Sequence, residues 1–242
     1  MTEIWLTKIF NDYLPGLGNA VSGLVGIQAQ ARPWANFVTM QILVVAILVV
    51  LFAFLRTRLS VERPGKFQQT FELIYEFVHG QTEDMVGHGG LRYMAFFGTL
   101  FLFILFSNLI GLIPGFEAPT QYAFVPAGCA VATFLYYNMA GVQANGLLKH
   151  LQHFVGPIWW LFPLMIPIEI VSNLARPLSL TLRLYANMYA GEQITGVFLT
   201  LTKLIVPAVF MAFHIFVSVL QAYIFMLLTM IYVGGAVAHE EH

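Results

Sequence analysis

Arg183 lies in a long apolar stretch, residues 158–190, where a permanent positive charge has no inexpensive place to be. Its guanidinium stays protonated at any pH a cell reaches, so it cannot escape a low dielectric by neutralising. Such a charge at mid-bilayer costs about 2.5–3.5 kcal/mol on insertion scales and roughly 10–17 kcal/mol in simulations of an isolated helix. Either value calls for a partner carboxylate, trapped water or a facing polar helix. An arginine in this setting marks a functional site concerned with moving or binding charge.

Other polar residues fall in step with it. With successive helical residues advancing by ~100°, Glu169, Ser172, Asn173, Arg176, Arg183 and Asn187 share one side within an arc of about 100°. From Glu169 to Asn187 the rise is about 27 Å, close to the thickness of a hydrocarbon core. Ser179 lies in the same segment, and Glu192 follows Gly191 at its far end. The last apolar stretch has a matching stripe of Lys203, His214, Ser218 and Gln221. Polar stripes on consecutive antiparallel helices face each other or a shared third party. Glutamate and histidine accept protons, and burial moves both toward neutrality. Glu192 with His214 therefore outlines a proton path from one side, and Glu169 serves the other. The alternative is hydrogen-bonded helix glue, which stands beside function for Ser172, Asn173 and Ser218. Glue rarely uses four ionisable groups such as Arg183, Glu169, Glu192 and His214 at membrane depth.

The elements that must position these residues are helices in lipid. The chain is 59% hydrophobic and 10% charged, where a soluble domain carries ~25% charge. The expected fold is all-α: a polytopic membrane protein with about five spans near 37–55, 93–113, 122–140, 158–190 and 204–238. Residues 66–86 are expected as an amphipathic interfacial helix, with Phe67, Phe71, Ile74, Val78 and Met85 near one face and Gln68, Gln69, Glu72, Glu76 and Glu83 elsewhere. The last two stretches exceed the ~30 Å core, which implies tilt or bending; Pro163, Pro167, Pro177 and Pro207 permit kinks. Arg56, Arg58, Arg63 and Lys66 place the end of the first span in the cytoplasm. The N-terminus is then outside, residues 1–36 form an external loop or short surface helix, and 37–242 make one membrane domain ending in the cytoplasm. No apolar core precedes Asn36, so the first span reads as an uncleaved anchor. A net charge of −1 suggests no nucleic-acid partner, and the single cysteine, Cys129, allows no intrachain disulfide. His150 and His153, and the terminal His239 to His242, read as solvated segments, so no metal and no cofactor is expected.

The segment Pro177-Leu-Ser-Leu-Thr-Leu-Arg183-Leu-Tyr-Ala-Asn187-Met-Tyr-Ala-Gly191-Glu192 resembles the signature of subunit a of F-type ATP synthases. The likeness extends to His214, to Gln221-Ala-Tyr-Ile-Phe-Met-Leu-Leu-Thr, to Pro64 through Phe77 and to Ser107-Asn-Leu-Ile-Gly-Leu-Ile-Pro114. It covers nearly all of the chain after residue 36. The resemblance implies a bacterial plasma-membrane stator with no catalytic site of its own. It would pack against a ring of c subunits and join the b-type peripheral stalk and the remaining subunits. Two offset half-channels would load and unload protons on ring carboxylates. Carried over residue by residue, Arg183 is the essential arginine facing the ring. Asn187, Glu192, His214 and Gln221 lie near the inlet or the arginine, Glu169 matches an outlet acid, and Asn108 lies beside the inlet. Gly111 departs from the pattern, because several bacterial relatives carry an aspartate there; this inlet would rely more on Glu192 and His214.

The physics is consistent with that implication. A fixed cation between two half-channels favours the charged form of each passing carboxylate and blocks a direct proton run between them. Two other classes are weaker. A secondary transporter holding an anionic substrate at Arg183 predicts a repeat of discontinuous helices, which the sequence lacks. An intramembrane hydrolase using Ser218 with His214 lacks a nucleophile elbow and a third orienting group.

Overall fold

Long apolar runs in lipid must satisfy their backbone groups internally, which leaves helices or closed barrels. The computed structural model, which describes residues 3–24, 28, 30–60, 63–87, 89–113, 115–146, 162–202 and 205–237, takes the helical solution. Its helices are α1 (Trp5–Tyr13), α2 (Pro15–Leu24), α3 (Asn36–Thr57), α4 (Lys66–Val86), α5 (Met94–Ile110), α6 (Phe124–Asn145), α7 (Phe162–Leu201) and α8 (Ile205–Val237). Single 3-10 turns, Gly90–Tyr93 and Pro119–Gln121, lead into α5 and lie before α6. No strand occurs among the described residues.

Among the described residues, four segments are long and apolar enough to cross a membrane: Asn36–Thr57, Gly90–Ile110, Phe124–Asn145 and Val206–Val237. α7 falls outside that set because Glu169, Arg176, Arg183 and Glu192 dilute its apolar character. It is nonetheless the longest helix, with 40 residues, and it packs along both α6 and α8. It runs unbroken through Pro167 and Pro177. Proline removes one backbone bond per position, which at Pro177 leaves the Asn173 carbonyl without its usual helical donor; one turn on, the Thr181 hydroxyl adds a bond to the Pro177 carbonyl at 2.8 Å.

α5 and α8 form the centre, flanked by α6 and α7 on one side and α4 on the other. Phe97, Ile104, Leu180, Leu184, Met188, Met226 and Met230 are fully buried there. Lipid is as apolar as these side chains, so close fit and polar bonds hold the bundle more than water exclusion does. α4 carries too many polar residues to count as a span. Its aromatic residues dock instead: Phe71 meets Phe52 of α3 at 5.8 Å, and Phe77 meets Tyr223 of α8 at 5.6 Å.

Of the loop or short surface helix expected for the N-terminal segment, its described part takes the helical form, in two pieces. Thr7 and Asn11, one turn apart, both point inward. The Thr7 and Thr39 hydroxyls lie 2.7 Å apart, and Asn11 exchanges two hydrogen bonds with the Trp34 backbone. An ion pair joins Arg32 to Glu3. His150, His153, Lys203 and the terminal His239 to His242 lie outside the described residues.

Candidate functional site

Three contacts fix α7 and α8 as an antiparallel pair. A Cβ on Gly191 would stand 3.1 Å from the His214 ring. The Ser218 hydroxyl lies 4.0 Å from the Met188 sulfur. Further along, the Arg176 guanidinium sits 5.3 Å from the Tyr232 ring. This register puts Arg183 level with Ala222, which is fully buried, and Tyr223. Along the axis Arg183 is ~10 Å from Arg176 and ~13 Å from Glu192, at 1.5 Å per residue.

One polar centre surrounds Glu192 and His214. Asn108 of α5 donates to the Ser218 carbonyl at 3.2 Å and accepts from the Thr120 hydroxyl at 2.7 Å. Asn108, Thr120 and Ser218 are each fully buried, and His214 is 7% exposed. Gln121 stands beside the Glu192 carboxylate, and Glu117 acts on it through its charge. Even so, Glu192 Oε2 and His214 Nε2 are buried with no hydrogen-bond partner among the described residues. An unmade bond of this kind costs about 1–3 kcal/mol, which argues for a use beyond stability. The loop ahead of α6 closes the centre. It folds so near Gly111 that a Cβ there would lie 2.7 Å from the Ala118 Cβ and 2.8 Å from its backbone nitrogen. The loop thus occupies the space that a side chain at 111 would need.

A second centre lies toward the other end of α7. The Tyr137 hydroxyl of α6 donates to Asn173 Oδ1 at 2.6 Å. Arg176 is clamped between two rings, 5.9 Å from Tyr137 and 5.3 Å from Tyr232. Glu169 is half-buried nearby in sequence, while Ser172 and Ser179 are exposed.

Arg183 is half-buried between these centres. Leu180 and Leu184 beside it are buried, and Leu178 and Leu182 are exposed, so it stands at the margin of an outward apolar face. Ion pairs among the described residues join Arg32 to Glu3 and His79 to Glu83; Arg183 takes part in neither. Asn187, one turn on, is likewise half-buried. The polar stripe expected on one side of α7 is therefore sorted by depth. Asn173 turns into the bundle, Arg176 into its aromatic clamp, Arg183 and Asn187 to the margin, and Ser172 and Ser179 outward.

Residues 38–234 match the family described as ATP synthase A chain. The chain belongs to that family. It is similar to ATP synthase subunit a of Solibacter usitatus strain Ellin6076, 70% identical over 96% of this chain and 100% of the relative. The namesake of Koribacter versatilis strain Ellin345 is 46% identical over 98% of both chains, and that of Geobacter sulfurreducens is 41% identical over 90% of each. As an ATP synthase A chain, the protein is a membrane-embedded subunit of an F-type ATP synthase.

Within this A chain, sequence reasoning missed the loop. Glu117, Thr120, Gln121 and Tyr122 all reach the Glu192 centre or its rim, as does Asn36 at the start of α3, yet polar residues in a connecting segment are ordinary. The one hint was Gly111, a glycine on which the loop can rest.

Proposed function

We propose that this subunit is the proton-translocating stator of the synthase membrane sector, with Arg183 separating two half-channels beside the c-ring. The observation that supports this most is the placing of Arg183 midway between two polar centres, without a carboxylate partner among the described residues. A permanent cation left unpaired at membrane depth needs compensation from outside the chain. A carboxylate carried past on the neighbouring ring supplies it.

In this reading Glu192 and His214, each with a buried atom unpartnered among the described residues, pass protons between the external side and the ring. Asn108 and Ser218 hold that inlet, Gln221 and Asn187 flank the arginine, and Glu169 serves the cytoplasmic outlet. A ring carboxylate arriving at Arg183 is held in its charged form by proximity. It gives up its proton on one side and regains one on the other. One charge crossing 100 mV yields about 2.3 kcal/mol, so several transfers accompany each ATP. Ring and peripheral-stalk subunits are the partners, and the basic cluster Arg56 to Lys66 sets the N-terminus outside and the C-terminus inside.

Replacing the arginine tests this. In inverted vesicles energised by ATP, Arg183→Ala is expected to abolish proton uptake while passive leak under an imposed potential persists or rises. Arg183→Lys keeps a cation that can shed its proton and lacks the planar fork, so coupling fails there too. Normal pumping in the alanine variant overturns the stator reading.

A further inference from the structure

The loop between α5 and α6 carries a carboxylate that is built in rather than merely exposed. Tyr122 donates to Glu117 Oε2 at 2.5 Å, and the Asn36 amide donates to the same oxygen at 3.4 Å. Asn36 is itself held, because its Oδ1 accepts the Ile4 backbone N–H at 3.3 Å. α1 covers this arrangement, with the Trp5 ring edge-on to Phe116 at 5.9 Å. Glu117 Oε1 makes no hydrogen bond among the described residues. Burial, and then the bond to Glu117, pushes the Tyr122 hydroxyl above its usual range. It therefore stays protonated in cellular conditions and acts as a donor alone.

The same loop reaches inward. Thr120 bonds Asn108, Gln121 stands beside Glu192, and the Glu117 charge acts on the Glu192 carboxylate. Beyond it lies His214, 7% exposed, its Nε2 without a hydrogen-bond partner among the described residues. The titratable groups facing Glu117 are thus Tyr122 on its own loop and Glu192 on α7. α3 presents the neutral Asn36, and α1 presents a backbone N–H and the Trp5 ring.

We propose that Glu117, held by Tyr122 and Asn36 beneath α1, is the proton-collecting carboxylate at the external mouth of the inlet, one step ahead of Glu192. A proton from external water adds to the free Glu117 oxygen, then leaves for the Glu192 carboxylate, and Glu117 returns to its anion. The negative charge of Glu117 concentrates protons at the mouth, as a charged cleft does for its counter-ion. This rests on the inlet reading of Glu192 and His214.

The test is ATP synthesis by the whole synthase in liposomes, with the inlet facing the lumen. Lumenal pH is varied while total driving force is held constant by a potassium diffusion potential. A collector matters most when protons are scarce. Glu117→Gln is expected to synthesise near the wild-type rate at acid lumenal pH and about tenfold slower at alkaline pH, the low end of what local charge does for capture rates. Glu117→Asp should restore the wild-type profile, and Tyr122→Phe should fall between. A Glu117→Gln profile parallel to wild type, whether unchanged or uniformly lowered, overturns the proposal. Glu192→Gln run beside it separates the two readings. If Glu192→Gln is inactive and Glu117→Gln matches wild type, only the collector role fails. If Glu192→Gln is normal at every pH, the inlet itself is misplaced.

Discussion

The His214 imidazole lies against Gly191 so closely that a Cβ on the glycine would stand 3.1 Å from both Cε1 and Nε2. Contact at that distance requires the ring to move by a few tenths of an ångström. Gly191→Ala should improve helix propensity by about 1 kcal/mol, so assembly is expected to be intact. Proton pumping should nevertheless fall several-fold, and Gly191→Val should lose most of it, as small misplacements of a working group cost far more than they cost the fold. Pumping measured against the amount of assembled complex checks this. Equal activity across the glycine, alanine and valine forms would show that the position of His214 does not matter.

Glu192 follows that glycine directly, and like His214 it has a buried side-chain atom with no hydrogen-bond partner among the described residues. Residues acting in one relay are not additive. Glu192→Gln and His214→Ala should each reduce ATP-driven proton flux strongly, and the double variant should be little worse than the poorer single one. Losses that sum in free energy would assign the two groups to separate paths.

How much of this was legible beforehand follows from physical contrast. α3, α5, α6 and α8 stand out as apolar runs, and α4 matches its expected bounds because its period shows against that background. Arg183, Glu192, His214, Gln221 and Asn108 are visible for the same reason: each is polar where its neighbours are not. Helix α7 was visible but differently bounded, extending to Leu201 because Glu192 and Gln193 do not interrupt its backbone bonds. The sorting of its stripe was not legible. Arg176 is drawn off by Tyr137 and Tyr232, from two other helices, and no wheel drawn on α7 alone contains them. Glu117 was hidden for the opposite reason, being a polar residue in a segment where polarity carries no signal, and Tyr122 because an aromatic ring reads as the start of the span expected at 122–140, which begins at Phe124.

The Arg176 clamp makes its own prediction. Cation–π contacts contribute from about 0.5–1 kcal/mol when exposed to about 2 kcal/mol when desolvated. With rings at 5.9 and 5.3 Å, Arg176 should be coupled to Tyr232 by about 1 kcal/mol in a double-mutant cycle of Arg176→Met and Tyr232→Leu. Thermal unfolding of the complex in detergent reads it. Because this arginine is held by the bundle rather than offered at its margin, Arg176→Lys should retain substantial pumping where Arg183→Lys does not. Loss of pumping in both alike would remove the distinction drawn between the two cations.

Two adjacent glycines of α8 meet very different surroundings. A Cβ on Gly234 would meet the Met85 carbonyl oxygen at 2.7 Å, whereas one on Gly235 would meet nothing within 4 Å. The obstructing atom is backbone at the end of α4, so no rotamer change can clear it. Nearby, the Tyr223 hydroxyl donates to Gln81 at 3.1 Å, which ties the same two helices together. Gly235→Ala should be neutral or gain up to about 1 kcal/mol of helix propensity. Gly234→Ala forces α4 away from α8 and should cost about 1–3 kcal/mol, as overfilled contacts do. The pair controls for membrane insertion, since both changes add one methyl to the same helix turn. Lower thermal stability and faster proteolysis near Val86 in the Gly234 variant alone are expected; indistinguishable behaviour of the two variants would mean that α4 is not seated against α8.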